Sequence, residues 1–259
     1  MRGRLGQPRD WDARTYDSLP LPHERWGADT CGRLDLTGEE RVIDFGCGTG
    51  RDTMRLLGRL PHGRVIAIDG SRRMLAALRT RVGSDLDRVD VLRSDLNEPI
   101  SLGHPVDAVF SVATLHWLPD HARVFRHIAR TLRRGGQFVS ECGGEGNIAT
   151  VSAALTAILG DTVAKAMWNF AEPESTRARL EQAGFTDVEV DLAPDLVAFA
   201  DTALLETYLE TVVLGSHLEG IPTTQRAALA KRVAAHLPQL ELDYVRLRIK
   251  ARKRVNTAD

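Results

Sequence analysis

The stretch RVIDFGCGTGRDT, residues 41–53, places three glycines directly after an apolar run that contains Asp44. Gly46, Gly48 and Gly50 permit positive φ angles and let a ligand approach the main chain without meeting a Cβ. The helix expected after them directs free N–H groups and a positive dipole end to the same place. This pattern predicts a loop that binds an anionic group, although a tight strand-to-helix turn would also explain it.

The spacing of these glycines argues against a dinucleotide. A dinucleotide-binding loop follows the pattern G-x-G-x-x-G, whose third glycine would fall at position 51 when counted from Gly46. Arg51 occupies that position, and the pattern present is G-x-G-x-G. A nicotinamide-dependent oxidoreductase is therefore disfavoured.

Two further acids close the next apolar runs. Asp69 ends GRVIAID and Asp95 ends VDVLRSD. A carboxylate at the first position can accept both hydroxyls of a ribose, and one at the second can accept an exocyclic adenine amine. Asp69 would also fit beside Ser71 at the start of a helix, but capping alone explains a third acid at a third consecutive strand end poorly. The acids indicate a nucleoside site.

Short β-branched runs alternate with amphipathic stretches between residues 40 and 142, which is typical of a parallel sheet covered by helices on both faces. After residue 142 the chain is mostly helical, near residues 147–170, 203–214 and 223–237, with a capped helix that ends at Gly184. We therefore predict an α/β fold: a doubly wound, mostly parallel seven-stranded sheet with a helical C-terminal cap. The predicted strands are RVIDF, GRVIAID, VDVLRSD, VDAVFSVA, GQFVSEC, TDVEVDL and DYVRLRIKAR.

The series VIDFGCGTG, AIDGS, RSDL, VFSVATLHWLPD and LRRGGQFV resembles the class I S-adenosylmethionine-dependent methyltransferases in order and spacing. Within that class, LHWLPDH and the N-terminal WDARTYD are similar to the trans-aconitate methyltransferase-like small-molecule enzymes. The resemblance implies a Rossmann-like fold with S-adenosyl-L-methionine as cofactor. It also implies N-terminal lid helices in residues 1–37, a cofactor-binding core in 38–142, and substrate cap helices with the last strands in 143–259.

The resemblance implies a role for each residue at the strand ends. The glycine-loop backbone would hold the methionine part of the cofactor, with Asp44 near its ammonium, and Asp69 would bind the ribose diol. Met74 would pack on the adenine, whose edge Asp95 and the Leu96 backbone would read. The predicted cofactor residues are Asp44, Gly46, Cys47, Gly48, Gly50, Asp69, Gly70, Met74, Asp95, Leu96, Val112 and Ala113.

The acceptor side is less distinctive. His116, directly beyond the fourth predicted strand, is the candidate catalytic base, because an imidazole is partly neutral near pH 7. A histidine that only lines the pocket would fit the same position. Ordinary places in the core or in a turn would also explain the other candidates. The predicted substrate-binding residues are Trp11, Tyr16 and Trp26 in an N-terminal lid, Trp117 beside the histidine, and Glu141 and Asn147 after the fifth strand.

Two arginines alternate with apolar residues in the last predicted strand, DYVRLRIKAR. The favoured interpretation of Arg246 and Arg248 is the solvated face of an edge strand. A carboxylate clamp in the acceptor pocket is the alternative.

Charge and composition restrict the partners. The chain has 34 Lys and Arg against 35 Asp and Glu, a formal net charge of −1, which gives no electrostatic case for nucleic acid or an anionic membrane. The segment SVATLHW also lacks the Asn/Asp/Ser-Pro-Pro-aromatic motif of amino-directed nucleic-acid methyltransferases. Three scattered cysteines argue against a metal site or a disulfide framework, and no apolar run reaches signal-peptide or membrane-spanning length. A cytoplasmic protein is expected.

The expected function is therefore an S-adenosylmethionine-dependent methyltransferase of a small molecule, acting most favourably on the oxygen of a carboxylate or hydroxyl. Methyl transfer is an in-line displacement that depends on positioning, and a carboxylate acceptor needs no base whereas a hydroxyl does. Three alternatives stay open: methylation of carbon or nitrogen in a secondary metabolite, a NAD-dependent oxidoreductase, and a non-catalytic S-adenosylmethionine-binding protein.

Overall fold

The computed structural model describes residues 9–160, 168–215, 217–218 and 221–255. The strands are β1 (Arg41–Phe45), β2 (Arg64–Asp69), β3 (Val89–Arg93), β4 (Val106–Val112), β5 (Leu132–Gly143), β6 (Phe185–Ala198) and β7 (Glu241–Lys253). The α-helices are α1 (Ala13–Ser18), α2 (His23–Gly32), α3 (Arg51–Arg59), α4 (Arg72–Val82), α5 (His121–Thr131), α6 (Ala149–Leu159), α7 (Pro173–Gln182), α8 (Thr202–Tyr208) and α9 (Thr223–Ala234). Short 3-10 segments cover Gly83–Arg88 and Leu115–Trp117, and a π-helical turn covers Leu209–Val213.

The seven strands form one sheet in the order β3-β2-β1-β4-β5-β7-β6. Strands β1 to β5 are parallel, whereas β7 runs antiparallel to both of its neighbours. The prediction of a doubly wound, mostly parallel sheet is confirmed. The strand order reverses between β1 and β4, and in such sheets a crevice opens at the carboxyl ends of the strands on either side of the reversal.

Helices cover both faces of this sheet because alternate strand residues point to opposite sides. Val42 belongs to a hydrophobic cluster shared with α3, α4, α6, α8 and α9, whereas its neighbour Ile43 belongs to a second cluster shared with α5 and α7. Side-chain caps fix where α4 and α5 begin: Ser71 Oγ accepts the Met74 N–H at the start of α4, and an Asp120 carboxylate oxygen accepts the Arg123 N–H at the start of α5. The crevice therefore has helices on both sides.

The last strand does not lie at the edge of the sheet, and that part of the sequence interpretation is wrong. Strand β7 is inserted between β5 and β6, so one of its faces is covered where α2 packs. Arg246 is buried there, only 2% exposed. Arg248 keeps the predicted solvated position: its side chain is 44% exposed and its Nε donates to Asp191 at 2.8 Å. Pro194 fits β6 because an edge strand tolerates a missing N–H.

Helices α6, α8 and α9 follow the parallel strands and pack on one another, in the same hydrophobic cluster as α2. The helical stretch expected near residues 203–214 consists of α8 and the π-helical turn, and the stretch expected near 147–170 contains α6. Residues 161–167 of that expectation lie outside the described residues. Within the described ranges, no helix is both long and apolar enough to cross a membrane.

Candidate functional site

A cavity of about 670 Å³ lies over the carboxyl ends of the parallel strands, a volume typical of small-molecule pockets. Residues that follow each of the strands β1 to β5 contribute to its wall. Most of the predicted cofactor residues line it, namely Gly46, Gly48, Asp69, Gly70, Met74, Asp95, Leu96, Val112 and Ala113. The sequence pattern therefore located the crevice, while the role of each residue toward a cofactor stays a prediction.

The loop after β1 requires glycine at two positions for different reasons. Gly46 has a φ of 83°, and a Cβ there would overlap the side chain of Thr114. Gly48 has a φ of 51°, but a Cβ there would have no atom within 4 Å. Because Gly48 lines the cavity, its missing side chain leaves bare backbone exposed to a ligand.

Asp69 ends β2 and connects two loops. Its Oδ1 accepts the Ser71 N–H at 2.8 Å, and its Oδ2 accepts the Gly48 N–H at 3.0 Å. Burial raises the pKa of this carboxyl, and the two N–H donors oppose that rise. Each carboxylate oxygen has a second lone pair, so Asp69 can still accept hydrogen bonds from the cavity that it lines.

Three predicted cofactor residues, Asp44, Cys47 and Gly50, are not among the described residues that line the cavity. Asp44 is buried beneath the loop and accepts a hydrogen bond of 2.6 Å from the Thr53 hydroxyl. Burial raises its pKa to about 8, with further contributions from neighbouring carboxylates. At neutral pH this carboxyl is therefore mostly protonated until a cation comes close. Cys47 is buried beside it, and Gly50 begins α3.

The turn after β3 fixes a second acid at the far end of the crevice. The backbone and side-chain amides of Asn97 both donate to Asp95 Oδ1, each at 2.9 Å. Asp95, Asn97 and Leu96 line the cavity together with the buried side chain of Met74. An apolar surface beside a carboxylate acceptor suits a flat heterocycle with an exocyclic amine.

N-terminal residues close one side of the cavity. Asp17, at the end of α1, accepts a 2.7 Å hydrogen bond from the hydroxyl of Thr49 in the glycine loop. This bond ties the N-terminal helix to the loop that follows β1. The aromatic residues predicted for a lid all line the cavity: Trp11, Tyr16 and Trp26.

His116 lies in the 3-10 turn after β4 and lines the cavity beside Trp117. Its Nδ1 accepts the Gly143 N–H at 3.2 Å. Burial lowers the pKa of His116 well below its ordinary value, and the charge of Arg246 lowers it further. The ring is therefore neutral with its proton on Nε2, which makes it a hydrogen-bond donor toward the cavity. The hydrogen bond from Gly143 favours a donor role for His116, and its role as the catalytic base stays a prediction.

Arg246, which the favoured sequence interpretation placed in solvent, is buried and contributes a positive charge to the cavity wall. Its Nε donates to Glu141 Oε1 at 3.3 Å, and Glu141 Oε2 accepts a 3.1 Å hydrogen bond from the Thr30 hydroxyl. Glu141, predicted to bind substrate, is thus buried beside Arg246 and is not among the described lining residues. Asn147, also predicted, does line the cavity.

Several lining residues carried no usable signal in the sequence. Trp168 and Phe170 stack at 5.4 Å between ring centroids, and Phe170 lies 5.9 Å from the ring of His116. Tyr244, on β7, also lines the cavity. These aromatic residues come from segments with no motif, and only the packing of β7 and the segment after α6 brings them to the crevice. Within the described part of the chain, no cluster of three His, Cys, Asp or Glu side chains could hold a metal ion.

The sheet is doubly wound, and a glycine loop and acidic residues surround one crevice. This combination is typical of Rossmann-like proteins that bind a cofactor containing a nucleoside. The family model described as "Methyltransferase domain" matches residues 42–136. An uncharacterized methyltransferase of Schizosaccharomyces pombe is 30% identical over 191 residues, which cover 69% of this chain and 72% of that protein. The chain therefore belongs to the class I S-adenosylmethionine-dependent methyltransferases, whose cofactor is S-adenosyl-L-methionine.

Other similarities refine that assignment. A trans-aconitate 2-methyltransferase of Methylobacterium nodulans is 39% identical over 129 residues, which are 49% of this chain and 47% of that protein. The chain thus spans about half the length of the first curated relatives that it matches. The YcgJ protein of Bacillus subtilis has the same fold, with a TM-score of 0.64 at 14% identity, over 90% of this chain and 100% of that one.

Proposed function

We propose that this chain transfers the methyl group of S-adenosyl-L-methionine to a carboxylate oxygen of a small-molecule acceptor. The observation that carries the proposal is the hydrogen bond from the Gly143 N–H to His116 Nδ1. The proton of the neutral ring then lies on Nε2, so the histidine donates to the acceptor instead of removing its proton. A donor suits an acceptor that is already anionic, whereas a hydroxyl acceptor would need a base.

Other titratable groups of the cavity support the same choice. Burial, together with the charges of Arg246 and Arg51, lowers the pKa of His23 to about 3, which makes it a weak base. Burial raises the pKa of Tyr244 to about 12 and that of Tyr16 still further, so both phenols stay protonated at neutral pH. A carboxylate needs none of these groups as a base.

The residues present fit the cofactor. Bare backbone at Gly48, acceptor capacity at Asp69 and Asp95, and the apolar side chain of Met74 lie along the ends of β1, β2 and β3 in one cavity. Bound S-adenosylmethionine supplies a methyl group on a sulfonium. We assign the ribose to Asp69 and the adenine to Asp95, Leu96 and Met74. We place the ammonium near the carboxyl of Asp44, which is buried behind the cavity wall and acts on it through charge.

The remaining walls would keep water away from the transfer. A sulfonium loses its charge as the methyl group leaves, so a dry and weakly polar pocket favours the reaction. Residues 1–37 would act as the lid, through Trp11 and Tyr16. The segment from residue 143 to the end would act as the acceptor cap, with Phe170 and Val212 lining the cavity.

The similar proteins supply the first acceptor to test. The first relatives matched are named trans-aconitate 2-methyltransferase, and their similarity to this chain covers about half of each. We therefore propose trans-aconitate, an unsaturated carboxylate, as the first acceptor. A nucleic-acid substrate is disfavoured by the near-neutral charge of the chain.

The test incubates the purified protein with S-adenosylmethionine labelled in its methyl group and with trans-aconitate, other small carboxylates, and matched alcohols and amines. The expected product is a methyl ester, whose label is released as methanol by mild alkali. Label that is stable to alkali would indicate methylation of nitrogen, carbon or a hydroxyl and would contradict the proposal. Binding of S-adenosylhomocysteine without any labelled product would indicate the non-catalytic alternative.

A further inference from the structure

The strand order divides the cavity into two halves. Gly48, Asp69 and Asp95 lie at the carboxyl ends of β1, β2 and β3, on one side of the reversal in strand order, whereas His116 follows β4 and Arg246 lies on β7. Neighbouring strands are about 4.8 Å apart, so Arg246 stands about 14 Å along the sheet from β1. Arg246 therefore faces the half of the cavity away from the row of acids, which is the half left for the acceptor.

Arg246 is fixed in position and shielded from water. Its guanidinium carbon lies 3.7 Å from the ring centroid of Trp26, and its side chain is 3% exposed. Trp26 is itself held, because its Nε1–H donates to Asp195 at 2.5 Å. One oxygen of Glu141 accepts from Arg246 Nε and the other from the Thr30 hydroxyl, and these two hydrogen bonds hold the carboxylate in one orientation. A rigid, desolvated guanidinium is a strong binder of anions.

Two buried nitrogens at this wall have no hydrogen-bond partner among the described residues, Arg246 Nη2 and His23 Nδ1. Both side chains line the cavity and both contact Trp26, the ring of His23 at 4.8 Å between centroids. Leaving a buried guanidinium N–H without an acceptor is costly. An anionic oxygen in the cavity would accept from it, whereas a cationic or apolar group would not.

We infer that Arg246 anchors the acceptor: its free Nη2 edge binds one carboxylate of the small molecule, while another oxygen of the same molecule receives the methyl group. This inference rests on the proposed function. Arg246 and His116 line the same cavity, so one small molecule can reach both side chains. The anchored carboxylate thus binds and orients the acceptor, and Arg246 selects acceptors with a second carboxylate.

The experiment measures binding of a defined probe by calorimetry. Fumarate, a planar dianion, is titrated into the full chain saturated with S-adenosylhomocysteine, and fumaramide, its neutral counterpart of the same shape, is the comparison. The variants are Arg246→Lys and the double variant Glu141→Gln/Arg246→Met, which leaves no unpaired buried charge. Arg248→Met is the matched control, because Arg248 lies on the same strand but is exposed and paired with Asp191. S-adenosylhomocysteine affinity and far-UV circular dichroism report whether each variant is folded.

We expect the wild type and Arg248→Met to bind fumarate and not fumaramide. Loss of a charge-assisted hydrogen bond should weaken fumarate binding about 10- to 100-fold in the double variant, with S-adenosylhomocysteine affinity unchanged. Arg246→Lys should give an intermediate affinity, because lysine keeps the charge without the fork of donors. A wild type that treats fumarate and fumaramide alike, or a folded double variant that binds fumarate normally, would overturn the inference. Weakened S-adenosylhomocysteine binding in the double variant would instead assign Arg246 to the cofactor and would also overturn it.

The binding readout separates this inference from the proposed function. Fumarate binding that depends on Arg246, without any methyl ester formed from any carboxylate, would refute the proposed function and leave the anchor standing. Formation of a methyl ester at the same rate and KM in the double variant would refute the anchor and leave the proposed function standing.

Discussion

The buried pair of Arg246 and Glu141 gives the sharpest test of the packing around β7. The two side chains are 3% and 5% exposed, and each is the other's nearest opposite charge at 3.3 Å. Arg246→Met removes the cation and leaves the Glu141 carboxylate buried, with the Thr30 hydroxyl as its remaining hydrogen-bond partner among the described residues. Breaking a buried ion pair from one side costs about 3–5 kcal/mol, because the remaining charge stays desolvated. We expect the free energy of unfolding of Arg246→Met to fall by about that amount.

The double variant Glu141→Gln/Arg246→Met should recover most of that loss. Glutamine has nearly the shape of glutamate and can still accept from Thr30, and methionine can still pack on Trp26. Replacing both members of a buried pair by neutral groups of similar volume is often close to neutral for stability. Each single change leaves one buried group without its partner and the double change does not, so the double-mutant cycle should give a coupling energy of at least about 3 kcal/mol.

The assay is urea denaturation of the wild type, both single variants and the double variant, followed by tryptophan fluorescence and far-UV circular dichroism. Unchanged m values would show that the native and unfolded states remain comparable. Stability effects of the two single changes that simply add in the double variant would refute the argument, because they would mean that the two side chains do not interact. A loss of less than 1 kcal/mol in Arg246→Met would show that the guanidinium is in contact with water.

Three further predictions concern single residues of the cavity. Asp69→Ala should weaken S-adenosylhomocysteine binding about 10- to 100-fold in calorimetry, because a carboxylate that accepts from the ribose diol is lost. Asp90→Ala, at an exposed position on β3, is the control, and equal affinities of the two variants would disprove the ribose assignment. Because burial raises the pKa of Asp44 to about 8, S-adenosylmethionine binding at pH 7 should release close to one proton. Calorimetry in buffers of different ionisation enthalpy measures that release, and Asp44→Asn should abolish it. The pKa of His116 is lowered in the folded chain, so the stability that its neutral form contributes is complete above pH 6.5 and is lost as the pH falls toward the folded value. Urea unfolding should therefore show a smaller loss of stability between pH 7 and pH 5 in His116→Gln than in the wild type, and an equal loss would contradict the burial of the ring.

The sequence was sufficient for the parallel half of the molecule because its signals are local. Each strand of β1 to β4 is a short, largely apolar run, and the chemically active residues lie at or just beyond its carboxyl end, as Asp69 does at the end of β2. In a parallel sheet the carboxyl ends meet at one edge, so residues far apart in sequence reach one crevice without further information. The nine predicted cofactor residues that line the cavity all belong to this part.

The other half depends on pairing that no local pattern encodes. The alternation of Arg246 and Val245 predicts a strand with one polar face, but whether that face meets water depends on which strands lie beside it. Only the insertion of β7 between β5 and β6 covers Arg246 and brings Glu141 next to it. The tautomer of His116 depends on pairing for a similar reason, because the N–H that its Nδ1 accepts belongs to Gly143 on β5.

The most direct test of the proposed cavity is a crystal structure with S-adenosylhomocysteine and fumarate bound. We expect the ribose within hydrogen-bond distance of Asp69, the adenine beside Asp95, and a fumarate carboxylate at Arg246 Nη2. S-adenosylhomocysteine bound with its ribose away from Asp69, or found outside this crevice altogether, would contradict it.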